Sequence, residues 1–396
     1  MASPLLTWPA FSIMIVSVRD PQSMADSKSS APSQLIGVQY LRAIAALMVA
    51  YFHSLEQIPQ YAPLLNRYFL GNAHLSNGVD LFFVISGFIM VLTSSRASPL
   101  DFAVRRIIRI VPLYWSLTAV LLFLLLWKPN LMRATVAGTE YAVKSFLFIP
   151  YANPGQNGQM FPLLVPGWSL NLEMFFYAVF ALVLFLPRNR RVLAAGAFFF
   201  VVVWGTPLFR GATFGREIGF FGDFRLFEFI FGMILAQWYS QGLPRLPVWV
   251  LWIIAALGFI VLFWGLPFLP LTAGSWLQVM LENGLPAAVV VFAILSLEGS
   301  LMRRPLPFLA YLGDASYSMY LSHIFSLGAA RFLWIQAGMD RVSLPYAIGF
   351  AVVGMAFTLL GTIAVYRCLE LPWLHMLQRA YRRQRTPVAQ ARGVSL

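Results

Sequence analysis

The chain has 396 residues, of which 59% are hydrophobic and only 11% charged, with 28 Lys and Arg against 15 Asp and Glu for a formal charge of +13. Soluble domains are about one-quarter charged, and here apolar runs recur that are long enough to cross a hydrocarbon core of roughly 30 Å, so a soluble globular protein is excluded. The positive surplus fits membrane topology and anionic lipid rather than nucleic acid, and the single cysteine, Cys368, excludes an internal disulfide and argues against a Cys-rich metal site.

The apolar runs do not alternate as barrel strands do. Helices satisfy their own backbone polar groups in lipid, so the expected fold is all-α, a polytopic membrane helical bundle. Residues 1–34 read as a disordered cytoplasmic tail. The opening "MASPLLTWPAFSIMIVSVRD" lacks the basic head and cleavage site of a signal peptide, and Met24 is an alternative start to Met1. A membrane domain follows over residues 35–373, with about ten spans near 36–55, 76–95, 102–127, 167–187, 191–208, 223–241, 247–268, 276–297, 308–335 and 343–369. The connection 128–166, which contains "PYANPGQNGQMFP", is expected to fold over one face of the bundle. Residues 374–396 form a basic cytoplasmic tail containing "QRAYRRQR". With the N-terminus inside, most Lys and Arg fall on the cytoplasmic side, and an even span count returns the basic tail there.

An ionisable group at membrane depth is costly and is a functional candidate. In the first span, "YLRAIAALMVAYFH" places Arg42 and His53 eleven positions apart. Eleven residues come within about 20° of three full turns, so the two share a face, separated by roughly 16 Å. The alternatives are a snorkelling Arg42 and a packing His53. The second span opens with "GVDLFFVISGF", where Asp80 is placed to orient His53 or to serve as a first-turn acid. Ser86 and Gly87 read chiefly as helix-packing residues. In "VRRIIRIVPLYW", Arg105, Arg106 and Arg109 cluster at a helix start, suited to a phosphorylated cofactor or to lipid phosphates. The fourth span, "PGWSLNLEMFFYAVF", carries a polar stripe of Ser169, Glu173 and Tyr177 at four-residue intervals, with Glu173 at a depth to face His53. In "LGDASYSMYLSHIF", Ser316, Tyr320 and His323 share one face, lining a cavity or bonding a neighbouring helix. Glu370 and Pro372 read as a helix terminus, with Arg367 as local charge partner.

Taken together, phosphate-friendly arginines lie toward one side and His and carboxylates toward the other. There is no P-loop, zinc-ligand pattern or G-x-S-x-G elbow. The pattern resembles membrane acyltransferase family 3, in particular its ExoZ-like exopolysaccharide O-acyltransferase branch. The pieces that carry the resemblance are Arg42 to His53 as Arg-x10-His, "GVDLFFVISGF", Arg106 to Arg109 as Arg-x-x-Arg, "FLFIPY", "PGWSLNLEMFFY", "SYSMYLSH" and a terminal Glu-x-Pro. Leu371 departs from the family, which often has a basic residue there.

The resemblance implies a multi-pass O-acyltransferase of the bacterial inner membrane. It implies acyl-CoA, most simply acetyl-CoA, as co-substrate, with no permanently bound cofactor and no metal. The acceptor would be a sugar hydroxyl of a polysaccharide or a lipid-linked oligosaccharide. Arg42, Arg105, Arg106 and Arg109 would hold the CoA phosphates. His53 would act as general base or transient acyl acceptor, with Glu173 or Asp80 setting its tautomer. Trp168, Ser169, Ser316, Tyr320 and His323 would line the acceptor site. Two other classes fit the same spans: a transporter of a polysaccharide intermediate or acyl donor, and an assembly component without activity.

Overall fold

The computed structural model describes residues 35–67, 73–94, 97–128, 138–209, 211–272 and 274–391. The tail expected over 1–34 lies outside them. Among the described residues the chain is helical, with one isolated antiparallel bridge between Asn153 and Gln159 as the exception.

The main helices are α1 (Ile36–Glu56), α2 (Gly78–Thr93), α3 (Pro99–Trp127), α4 (Thr139–Phe146), α5 (Gly167–Val183), α6 (Arg188–Gly205), α7 (Leu226–Gln241), α8 (Val248–Trp264), α9 (Leu285–Ser296), α10 (Pro307–Asp314), α11 (Ser316–Gln336), α12 (Leu344–Val365) and α13 (Leu371–Ala391). Among the described residues, six helical stretches are long and apolar enough to cross a membrane: Ile36–Glu56, His74–Thr93, Pro99–Trp127, Arg188–Phe209, Trp276–Ser296 and Leu344–Gln384. Gly167–Val183 and Val248–Trp264 are shorter apolar helices.

Local signals set several starts. The Ser98 hydroxyl accepts the Asp101 amide at 3.2 Å, Pro99 occupies the first turn of α3 and Asp101 adds negative charge there. The start of α1 is capped from a distance: Glu298 accepts the Ile36 amide at 2.6 Å and the Gly37 amide at 2.9 Å. Burial pushes the Glu298 carboxyl above the ordinary range, against the downward pull of those two amides.

Three elements depart from simple spans. Ala315 separates α10 from α11 within the expected span 308–335. A turn of π-helix, Val279–Gly284, precedes α9, and a second, Tyr366–Glu370, joins α12 to α13. Glu370 and Pro372 therefore do not end a helix; the wider turn carries the chain past Pro372 into α13.

Two apolar clusters flank the centre. One gathers α3, α5, α6 and α7, with Phe176 stacked on Phe229 at 4.2 Å between ring centroids. The other gathers α1, α2, α8 and α9. Helix α2 runs tightly along α7: a Cβ added to Gly87 would lie 2.0 Å from the Phe229 carbonyl oxygen, and one on Gly232 would lie 1.9 Å from that of Val84. Small residues let these backbones meet. The connection before α5 is built onto α3: Tyr114 donates to the Ser145 carbonyl at 3.1 Å, Trp115 to that of Phe146 at 2.8 Å, and the Ser145 hydroxyl accepts the Leu163 amide at 3.0 Å. That bracing fixes where α5 begins, and with it Ser169 and Glu173.

Candidate active site

Helices α1, α2, α3, α5 and α11 surround a cavity with about 750 Å³ of empty space, counting its open mouth. Its polar wall consists of Arg42, Ser86, Arg109, Ser169, Glu173, Tyr177, Ser316, Tyr317 and Tyr320, and the rest is apolar.

The two cavity arginines are held differently. Arg109 donates to a Glu370 carboxylate oxygen, while Ser318 donates to the other oxygen of that group. The Arg109 guanidinium also lies 5.6 Å from the Tyr317 ring centroid. Arg42 stands in the field of Asp314, Glu370 and Glu173 and against Arg109. None of the ion pairs found among the described residues involves Arg42. Glu370 is thus partnered by Arg109, not by Arg367, whose guanidinium lies over Tyr311 at 5.8 Å.

Glu173 lines the same cavity and contributes to the field at Arg42. One of its oxygens accepts from Ser86 at 2.6 Å and from the Tyr177 hydroxyl. Ser86 is therefore part of this polar network and not only a packing residue, while Gly87 makes the close helix approach. Further along the cavity, the Tyr320 hydroxyl meets the Ser169 hydroxyl at 2.7 Å and the Pro166 carbonyl at 3.0 Å.

His53 is not among the residues that line the cavity. Its Nδ1 is 2.6 Å from Glu56 Oε2 on the next turn of α1. Its ring stacks on His323 with centroids 5.0 Å apart and planes at 22°. His323 is fully buried, with Nδ1 3.3 Å from the Met319 carbonyl and Nε2 without a partner. The Tyr320 ring centroid is 6.3 Å from that of His323.

The expected pairing of His53 with Glu173 or Asp80 is not what the structure holds. Asp80 points away from the cavity: Arg225 Nε donates to it at 3.1 Å and Asn283 at 3.3 Å. Arg225 also bonds Asp223 at 3.3 Å and lies 5.6 Å from the Trp168 ring centroid, so Trp168 is tied to this second network instead of lining the cavity. The Arg106 guanidinium lies 5.7 and 5.9 Å from the Phe102 and Tyr177 ring centroids and is not among the residues that line the cavity. Arg105 pairs with Asp101 at 2.9 Å.

The arrangement thus brings together Arg42, Arg109, Ser169, Glu173, Ser316 and Tyr320. It sets His53 and His323 next to them, and leaves Asp80, Trp168, Arg105 and Arg106 outside. Sequence reasoning overlooked Glu56 and Arg225. The His-x-x-Glu spacing of residues 53 and 56 was a visible signal, since three positions along a helix are neighbours. Arg225 had none, because its partner Asp80 is 145 positions away. Among the described residues no group of three or more His, Cys, Asp or Glu side chains is disposed to hold a metal ion.

Comparison with known proteins gives a concordant result. The profile of the family described as "Acyltransferase domain", the acyltransferase 3 type, matches residues 35–367. The exopolysaccharide production protein ExoZ of Rhizobium meliloti is 38% identical over 307 residues, covering 75% of this chain and 89% of that protein. The O-acetyltransferase OatA of Staphylococcus aureus is 30% identical over 179 residues, covering 41% of this chain and 28% of that protein. No solved structure matches the chain.

Proposed function

The chain belongs to the acyltransferase 3 family and is a multi-pass membrane acyltransferase, and from that premise we propose that it O-acylates an exopolysaccharide or its lipid-linked repeat unit. The donor in this reading is cytoplasmic acyl-CoA, with acetyl or another short acyl group, and the enzyme resides in the bacterial inner membrane. The chain crosses about ten times, with both termini in the cytoplasm, as the distribution of Lys and Arg favours. The single observation that carries the proposal is one cavity lined by two arginines, Arg42 and Arg109, together with Glu173, Ser169 and Tyr320.

Arg42 and Arg109 receive the CoA phosphates, since a guanidinium fork matches phosphate oxygens. Arg109 is preset by Glu370 and Tyr317 and has its Nη2 without a partner, and Arg42 adds a second guanidinium in the field of Asp314, Glu370 and Glu173. Arg105 and Arg106, on the same helix but not lining the cavity, add positive potential to this side of the site. The roughly 16 Å rise from Arg42 to His53 suits the length of a pantetheine arm.

At the far end the sugar hydroxyl loses its proton to His53 as its oxygen attacks the thioester carbonyl. The C–S bond breaks, the thiolate takes a proton, and an ester and free CoA result. Glu56, on Nδ1, would hold that nitrogen protonated and leave Nε2 as the base. A two-step route, with the acyl group first on His53, uses the same residues. Glu173 and Asp80 then act away from the imidazole, Glu173 on the substrate within the cavity and Asp80 through Arg225.

Mass spectrometry of the surface polysaccharide tests the reading, comparing strains that carry the gene, lack it, or carry His53→Ala. One acyl mass per repeat should be present in the first and missing in the other two. An unchanged polymer in all three would refute the function. Loss of the polymer itself would indicate a transport or assembly role.

A further inference from the structure

The stacked histidines are not among the residues that line the cavity, and one lining side chain lies next to them. Tyr320 is on α11 three positions before His323, with its ring centroid 6.3 Å from that of His323, which in turn stacks on His53. The ring is held on two sides. Its hydroxyl is fastened to the Ser169 hydroxyl at 2.7 Å and to the Pro166 carbonyl at 3.0 Å. Phe82 meets its face edge-on, with centroids 5.8 Å apart. Tyr320 is 6% exposed and Ser169 5%, so this wall is a packed interior feature.

We infer that Tyr320 is a specificity-determining residue whose ring limits the size of the acyl group that the cavity can present to His53. The inference rests on the acyl-CoA reading above. Arg42 and Arg109 fix the phosphate end of the donor. The pantetheine arm has a set length, so the thioester carbon arrives at a set depth. Only the acyl chain beyond that carbon varies among donors, and Tyr320 with Phe82 occupies the space into which a longer chain would extend. Overfilling a packed wall forces side chains off their rotamers and is unfavourable. Each methylene accommodated or refused by an apolar pocket changes discrimination by roughly 10- to 200-fold. The hydroxyl bonds to Ser169 and Pro166 keep the ring from swinging aside, and this makes a small aromatic residue a hard limit on chain length.

The test is thiol release from acetyl-CoA and butyryl-CoA by the full-length protein in detergent micelles, with polysaccharide from a strain lacking the gene as acceptor. The quantity read is the butyryl-to-acetyl ratio of kcat/KM. Tyr320→Ala is expected to raise this ratio by at least about tenfold. Tyr320→Phe keeps the ring in place and should stay within about threefold of wild type. If the alanine variant is lost from the membrane fraction, Tyr320→Leu, smaller than the native ring but apolar, carries the same expectation of a rise. An unchanged ratio in a folded Tyr320→Ala or Tyr320→Leu enzyme overturns the assignment, as does an equal rise in Tyr320→Phe. Absence of thiol release from every protein, wild type included, is a different failure. It overturns the acyl-CoA donor reading and removes the wall's role with it.

Discussion

Arg109 illustrates how a buried charge is made usable. Its guanidinium sits between the Glu370 carboxylate and the Tyr317 ring, and Glu370 is only 3% exposed. Removing one partner of such a pair strands the other, at a cost of about 3–5 kcal/mol. Glu370→Ala should therefore lower the thermal unfolding midpoint of the detergent-solubilised protein markedly. Glu370→Gln, which retains an acceptor for Arg109, should lower it less. A second residue-scale expectation concerns the imidazole. If His53 is the base, His53→Ala should reduce kcat by about 10²- to 10⁴-fold with the membrane-inserted yield preserved. Glu56→Ala acts only through ring orientation and tautomer, so it should give a smaller loss in kcat with little change in KM. Equal losses in the two variants would give Glu56 more than a positioning role.

Among the elements, the contact between α2 and α7 is the least tolerant. Gly87 and Gly232 each face a carbonyl of the other helix, so any side chain there must push backbone from backbone. Gly232→Leu should destabilise the protein by more than the 1–3 kcal/mol or so typical of an overpacked core, because backbone cannot rotate away as a side chain can. Its expected signature is loss of the folded peak on size exclusion. Helix α1 depends on a cap supplied by Glu298 from 262 positions away. Glu298→Ala leaves two amides unsatisfied and should cost about 1 kcal/mol, as other N-cap losses do, readable as a lowered unfolding midpoint. Because α1 carries both Arg42 and His53, activity should fall in step with that loss.

At the scale of the molecule, the arrangement proposed for donor and acceptor requires that Arg42 and the C-terminal helix lie on the cytoplasmic side. A green fluorescent protein fused after residue 396 should fluoresce in intact cells, and an alkaline phosphatase fused at the same point should be inactive. The reverse pattern would turn the whole reading over. The helical fold was legible from sequence because lipid leaves few backbone solutions and because apolar runs mark spans directly. The cavity's composition was partly legible for a similar reason: Ser169, Glu173 and Tyr177 fall on one face by helical spacing alone, and all three line the cavity. Partnerships between helices were not. Asp80 and Glu173 both sat at plausible depth for His53, but rotation about a helix axis decides what a side chain meets, and apolar helices carry little information on rotation. Hence Asp80 found Arg225, Glu173 found Ser86, and His53 found its own neighbour Glu56.

The π-turn at Tyr366–Glu370 has an implication for how this part of the chain tolerates insertion and deletion. A π-turn holds one residue more than an α-turn over the same rise, so it is equivalent to a single-codon insertion absorbed as a bulge. Excising one residue there would relax the bulge to regular α-helix and leave the helix beyond it close to its present phase. The same excision within α12 or α13 has no bulge to absorb it and would turn everything beyond it by about 100°. A frame-preserving loss of one codon at this bend should thus be less damaging than the same loss a few turns to either side.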